Sequence, residues 1–150
     1  MADSRIQLEI EDWIRNDWLP NKYGQKFRRE RFKLNTGGVF DFDAVSDDEK
    51  IVINISTSSA FTFNGKVGVG KMQKIHSDIM FLLMVETREK VILLTEKDMY
   101  DRCISEKNAG RIPKDVSFMH VNLPEELKVK LRGAKKVASL EVTPSKNKYI

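Results

Sequence analysis

The chain has 150 residues, of which 41% are hydrophobic and 32% charged. That is enough for one domain able to bury roughly two-thirds of its unfolded surface, and no apolar run approaches the roughly 20 residues of a membrane span. Residues 1–5 lack the basic-then-apolar layout of a secretory leader. A single cysteine, Cys103, excludes an internal disulfide, so a cytoplasmic protein with a buried structural thiol is expected. The net charge of +4 suits a polyanionic partner, and the positive residues gather in 26–33, 66–74 and 128–148.

Ile6, Ile10, Trp13 and Ile14 recur at helical spacing behind Asp3 or Ser4, predicting an amphipathic helix over residues 4–17 that Pro20 ends or interrupts. Tyr23, Phe27 and Arg31 then mark one face of residues 21–32. Lys22, Lys26, Arg29 and Lys33 fill much of the remainder, so a second, basic helix is expected. Its positive face, with Arg28 and Arg29, reads either as a solvated surface or as a phosphate contact.

A hairpin follows, with strands over residues 37–45 and 51–57 around a polar turn at 46–50. Period-two alternation places Asp41 and Asp43 opposite Phe40, Phe42 and Ala44, and Asn54 and Ser56 opposite Ile51, Ile53 and Ile55. Burying one apolar face explains the isoleucines and phenylalanines. It does not explain two acids, an amide and a hydroxyl on the other.

Residues 57–70 are small, polar and Gly-rich, which predicts a mobile loop. Met72, Ile75, Ile79, Leu82 and Leu83 predict a helix from Val69 to about Glu86, with Lys71, Lys74 and Asp78 along another stripe. The run 91–95 reads as a strand buried on both faces. A helix over 96–108 turns Met99, Cys103 and Ile104 inward and stops at Gly110. A strand over 116–121 precedes Pro124, which suits the first turn of a last helix running to about Val137. The order predicts a single α/β domain over residues 1–142, with a mixed sheet of four or five strands flanked by helices and a flexible basic tail over 143–150.

Gly65 to Met72 falls one residue short of the phosphate-loop pattern G-x-x-x-x-G-K-[ST]. Met72 has no hydroxyl for Mg²⁺, and residues 57–64 make a poor preceding strand, so a P-loop-like nucleotide site is the weakest functional reading. A glycine-hinged loop bringing Lys66 and Lys71 to a nucleic-acid backbone fits the same residues better. His76 and His120 are isolated from other ligands and read as structural or surface residues. The hydroxyl cluster from Ser56 to Ser59 carries no nucleophile-elbow signature.

The order of elements, with an acid late in one strand and paired polar positions at i and i+2 in the next, resembles the restriction-endonuclease-like superfamily, the PD-(D/E)xK nucleases. The resemblance covers roughly residues 5–122 and implies a three-layer sandwich acting on nucleic acid. It implies a divalent ion, Mg²⁺ or Mn²⁺, which activates water against a phosphodiester. Asp43 matches the first Asp; Asn54 stands where the acid would be and Ser56 where the lysine would be. Asn54 offers only a neutral carbonyl oxygen to such an ion. Ser56 lacks the positive charge that steadies the transition state, an effect of about 3–4 kcal/mol for one well-placed donor.

Lys74 or Lys71, on the following helix, would restore that charge, and Asp41 would replace the lost acid. Alternatively, Asp41 is a solvated strand residue paired to Lys50. A rearranged metal-dependent phosphodiesterase site and a non-catalytic nucleic-acid-binding or protein-interaction module, needing no ion, both remain open. The resemblance admits a homodimer, although no heptad or exposed apolar stripe demands one.

Overall fold

The computed structural model describes residues 5–62 and 64–147, with side chains described as far as residue 140. Helix α1 (Arg5–Trp13) passes into a π-helical turn (Ile14–Trp18) and then α2 (Leu19–Tyr23). Pro20 therefore does not end the helix. Its ring would meet the carbonyl of Asn16 and it has no N–H to donate. The chain widens by one residue instead, with the Leu19 N–H bonding Ile14 O. Gly24, at φ 71°, closes α2 by donating to Pro20 O at 2.8 Å.

The basic helix expected over 21–32 is not formed; after Gly24 the chain extends into β1 (Phe27–Lys33). Its partner decides this. Antiparallel pairing with β2 (Val39–Ser46) sets Arg31 against Asp41 and Phe32 against Phe40, and the Phe32 ring meets Phe42 edge-on at 6.4 Å. The outward residues Arg29, Arg31 and Lys33 keep this sheet edge charged, as an unpaired edge requires.

Arg28 pairs with Val45 and Glu30 with Phe42, so β2 carries one extra residue at Asp43–Ala44, a β-bulge. The bulge overturns the simple alternation. Phe42 and Val45 face one core layer, whereas Ala44 belongs to the other. The turn to β3 (Ile51–Ser56) is held by Ser46 Oγ, which accepts the Ile51 N–H at 3.0 Å, and Asp48 Oδ1, which accepts the Lys50 N–H at 3.0 Å.

The sheet has five strands in the order β1-β2-β3-β4-β5. β4 (Glu89–Leu94) and β5 (Val116–His120) continue it in parallel with β3. α3 (Val69–Leu83) and α4 (Lys97–Asn108) cover one face, burying Ile75, Leu82 and Met99 with Phe42, Val52 and Ile92. α1, the π turn and α5 (Glu125–Asn147) cover the other, burying Ile10, Ile14 and Leu127 with Ala44, Ile53 and Leu93. Each such aliphatic side chain contributes roughly 1.5–3 kcal/mol when fully buried. The result is an open α/β sandwich with a mixed sheet.

Further boundaries differ from expectation: α3 ends at Leu83, short of the expected Glu86. α5 runs on through residues 138–147, and residues 148–150 lie outside those described. The segment whose composition suggests a mobile loop forms a short hairpin: Gly68 N–H bonds Ala60 O at 2.9 Å, Thr62 N–H bonds Lys66 O at 2.6 Å, and Phe61 bridges Val67. Gly65, at φ 82°, makes its turn. No helix of the described residues is long and apolar enough to cross a membrane.

Candidate functional site

Asp43 sits on the β2 bulge, where β2 and β3 part. The β2–β3 ladder pairs Ala44 with Ile53 and Val45 with Val52. Next along, the Asp43 carboxylate itself accepts the Ile55 N–H, Oδ2 lying 2.8 Å away. The bulge thus turns a strand residue into a side-chain plug in the gap. Its backbone is fixed from the other direction: Arg15, on the π turn, donates Nη1–H to the Asp43 carbonyl at 2.8 Å.

The same Arg15 gathers acids. Its Nη2 lies 2.7 Å from Asp12 Oδ1 and its Nη1 3.8 Å from Glu11 Oε1, and its side chain is only 12% exposed. Glu11 is buried at 5% exposure and accepts a hydrogen bond from Gln7 Nε2 at 3.2 Å. Burial pushes the Glu11 carboxyl above its ordinary value, and the charge of Asp43 pushes it further. On the α3 side, Asp78 is 8% exposed and pairs with Lys74 Nζ at 3.3 Å. It too is raised, first by burial; Lys74 opposes the shift and the charge of Asp43 adds to it. Asp43 is raised by burial against the lowering effects of the Ile55 N–H and the charges of Lys74, Arg29 and Arg15. The charge of the half-buried Asp43 thus acts on two buried carboxyls, Glu11 and Asp78, and the charges of Lys74, Arg29 and Arg15 act on Asp43 in turn.

Several residues singled out in the sequence lie elsewhere. Asp41 pairs with Arg31 Nε at 2.9 Å and approaches Arg29 at 4.0 Å. Hydrogen bonding to Arg31 holds its carboxyl below the ordinary range, so its partner is Arg31 rather than Lys50 and it does not join Asp43. Asn54 is buried on the α3 side and donates Nδ2–H to the Asp78 carbonyl at 3.5 Å. Ser56 Oγ accepts the Ser58 N–H at 3.3 Å, closing the chain's exit from β3.

Of the two candidate lysines, Lys74 acts on Asp43 and Lys71 does not. The Lys71 amine donates to Phe61 O at 3.1 Å, and burial, then the charge of Lys135, depress its pKa, with Asp98 and Glu96 opposing. Arg28 pairs with Glu30, Asp47 and Glu49, which ties it to the turn and its own strand. Arg29 instead reaches Asp43 and Glu11 through its charge. Lys66 is exposed near the hairpin turn, and His76 is exposed on α3. His120 tilts against Tyr100, ring centres 5.9 Å apart. The phosphate-loop-like segment enters α3 through Gly68 from the hairpin, since β3 ends at Ser56.

Glu11 and Arg15 are the site residues that sequence pattern misses. Their signal is Gln7, Glu11 and Arg15 at i, i+4 and i+8, one polar stripe beside the apolar Ile6, Ile10 and Ile14. Among the described residues, no group of three or more His, Cys, Asp and Glu side chains is placed to hold one metal ion.

No protein-family profile, curated protein or solved structure matches the chain.

Proposed function

We propose that the protein is a divergent nucleic-acid phosphodiesterase of the restriction-endonuclease-like class, with its site rearranged around Asp43. The carrying observation is that three carboxyls are held with raised pKa chiefly by burial, and the charge of Asp43 adds to the shift of both Glu11 and Asp78. Such shifts concentrate where groups have chemical tasks. On this reading Asp43 is the first Asp of the pattern, and Glu11 supplies the acid that Asn54 does not. Lys74 supplies the charge that Ser56 lacks, and Arg15 fixes the Asp43 backbone.

The donor set fits a hard divalent cation. Mg²⁺ and Mn²⁺ take oxygen ligands, and Mg²⁺ is commonly held by one or two carboxylates with water and substrate phosphate completing the shell. Asp43 and Glu11 would hold it. When bound, the ion supplies Lewis acidity and a more acidic water. Lys74 and Arg29 would neutralise charge on the phosphate, and a carboxyl of raised pKa would be matched to exchanging a proton with water nearer neutral pH.

Calorimetric titration with Mg²⁺ and Mn²⁺, followed by a cleavage assay, tests this. Wild-type chain should bind one of the ions and cleave, and Asp43→Ala should do neither. Failure of the wild type to bind either ion would sink the enzymatic reading.

One observation favours a non-catalytic nucleic-acid module: Asp43 Oδ2 already holds the Ile55 N–H, and the Lys74 amine already holds Asp78. Binding without ion, steeply weakened by salt and indifferent to Asp43→Ala, would select it.

A further inference from the structure

The hairpin between β3 and α3 has a firmly held root and an exposed apolar face. Ala60 is buried in the α3-side core, and its N–H bonds Asp98 Oδ2 at 3.2 Å. The Lys71 amine clamps the next carbonyl, Phe61 O. Gly68 permits the clamp: a Cβ there would lie 2.9 Å from Lys71 Cδ and 3.3 Å from Ala60 O. At the same root, Lys135 of α5 pairs with Glu96 at 3.0 Å and lies 3.5 Å from Ser59 Oγ.

Above this root Phe61 is 46% exposed and Val67 54%. They pair across the bridge and so stand side by side on one face. Val69, at 60%, follows at the start of α3. An anchored hairpin that shows a paired Phe61 and Val67 to water offers an apolar contact face.

The charge of the segment itself selects the partner. Residues 51–77 contain no Asp or Glu and carry Lys66, Lys71 and Lys74; Asp98 and Glu96 face Lys71 from the root and Asp78 pairs with Lys74, which leaves Lys66 as the exposed cation beside the apolar face. Lys66 is exposed at the turn, Lys71 sits at the root, and Lys74, one turn further along α3, acts on Asp43. In chain order the lysines run from the hairpin turn to the helix whose Lys74 charge acts on Asp43. A cationic track beside an exposed ring is the combination that binds unpaired nucleic acid, since a ring stacks on any base face and a duplex hides those faces.

We infer that this hairpin is a stacking finger for a single strand: Phe61 takes a base, Lys66 and Lys71 take flanking phosphates, and the strand is led toward Asp43. The inference rests on reading the chain as a nucleic-acid protein and names its substrate as unpaired strand; it does not require cleavage.

Fluorescence anisotropy of the full chain in chelator, with labelled oligo(dT) and a duplex of equal length across a salt series, tests it. The single strand should bind more tightly than the duplex. Phe61→Ala should weaken single-strand binding by about 5- to 150-fold and leave the duplex unchanged, while Phe61→Trp retains it. Lys66→Ala should reduce the slope of log affinity against log salt by about 0.7. Circular dichroism checks that the variants fold. Equal loss for both nucleic acids, or no loss for either, would overturn the finger, and self-association abolished by Phe61→Ala would assign the face to protein contact instead. Failure of ion binding with Phe61-dependent strand binding intact would overturn only the enzymatic reading; ion binding without Phe61 dependence would overturn only the finger.

Discussion

Replacing Asp43 by Asn is expected to stabilise the fold near neutral pH. Burial raises the Asp43 carboxyl above its ordinary 3.8, so the native state holds this proton where the unfolded chain has lost it. Stability from this group is therefore complete below about pH 4 and declines as pH rises through the raised value. The variant removes the charge and keeps an amide oxygen to accept the Ile55 N–H now 2.8 Å from Oδ2. It also removes a repulsion from both Glu11 and Asp78. Relief of this kind at a functional site amounts to about 1 kcal/mol, a rise of about 2–4 °C in Tm for a chain this long. Asp43→Ala relieves the same charge but leaves a buried N–H without its acceptor, a loss of about 1–3 kcal/mol, so it should melt at or below the wild type. Thermal unfolding followed by circular dichroism at pH 4.5, 6 and 8 reads the order directly, and the gain from Asn should grow with pH. An Asn variant less stable than wild type at pH 8, or a gain that ignores pH, would refute the linkage.

Arg15→Ala should destabilise the protein by about 2 kcal/mol in a urea titration, since it deletes a charged hydrogen bond to the Asp43 carbonyl and a cation facing buried Glu11. Cys103 is fully buried with its thiol pushed up to about 11; it should resist a disulfide reagent at pH 8 in the native state and react at once in guanidinium. Gly68→Ala should displace the Lys71 stem and weaken single-strand binding severalfold in the anisotropy assay, while unfolding changes by about 1 kcal/mol or less.

The sheet and its covering helices are legible in the sequence where one period rules. Ile75, Ile79 and Leu82 mark α3, and Val91 to Leu94 read as a strand buried on both faces, which it is. β1 misleads for a physical reason. Tyr23, Phe27 and Arg31 fall at helical spacing by chance of composition, and a charged edge strand has too little buried face to assert a period of two. The stop signal was Gly24, whose left-handed φ ends α2. In the candidate site, Asp43 and Lys74 were readable, one from strand position and the other from its stripe on α3. Asp41 was not separable from Asp43, because the bulge that divides them arises from pairing with β1 and leaves no local signature. Glu11 shares a helix with strong apolar markers, so a surface acid and a buried one look alike there.

Three departures from regular backbone meet at Asp43: the π turn that carries Arg15, the β2 bulge, and the parting of β2 from β3. Each breaks a local hydrogen-bond pattern; the π turn closes on its own backbone, Leu19 N–H to Ile14 O, and the other two are compensated by side chains of the same cluster. Arg15 reaches the Asp43 carbonyl, and the Asp43 carboxylate receives the N–H of Ile55. An apolar residue at 43 with regular pairing would satisfy the same backbone groups without burying charge, because ladder carbonyls serve as well as a carboxylate. Fold stability alone thus gives no reason for the acid, and π turns and bulges concentrate where a side chain must be aimed. If the acid has no further task, then Asp43→Asn is a gain without loss. If it holds an ion, the variant that melts highest is the one that binds none, and that opposition between stability and ion binding separates a site from an accident of packing.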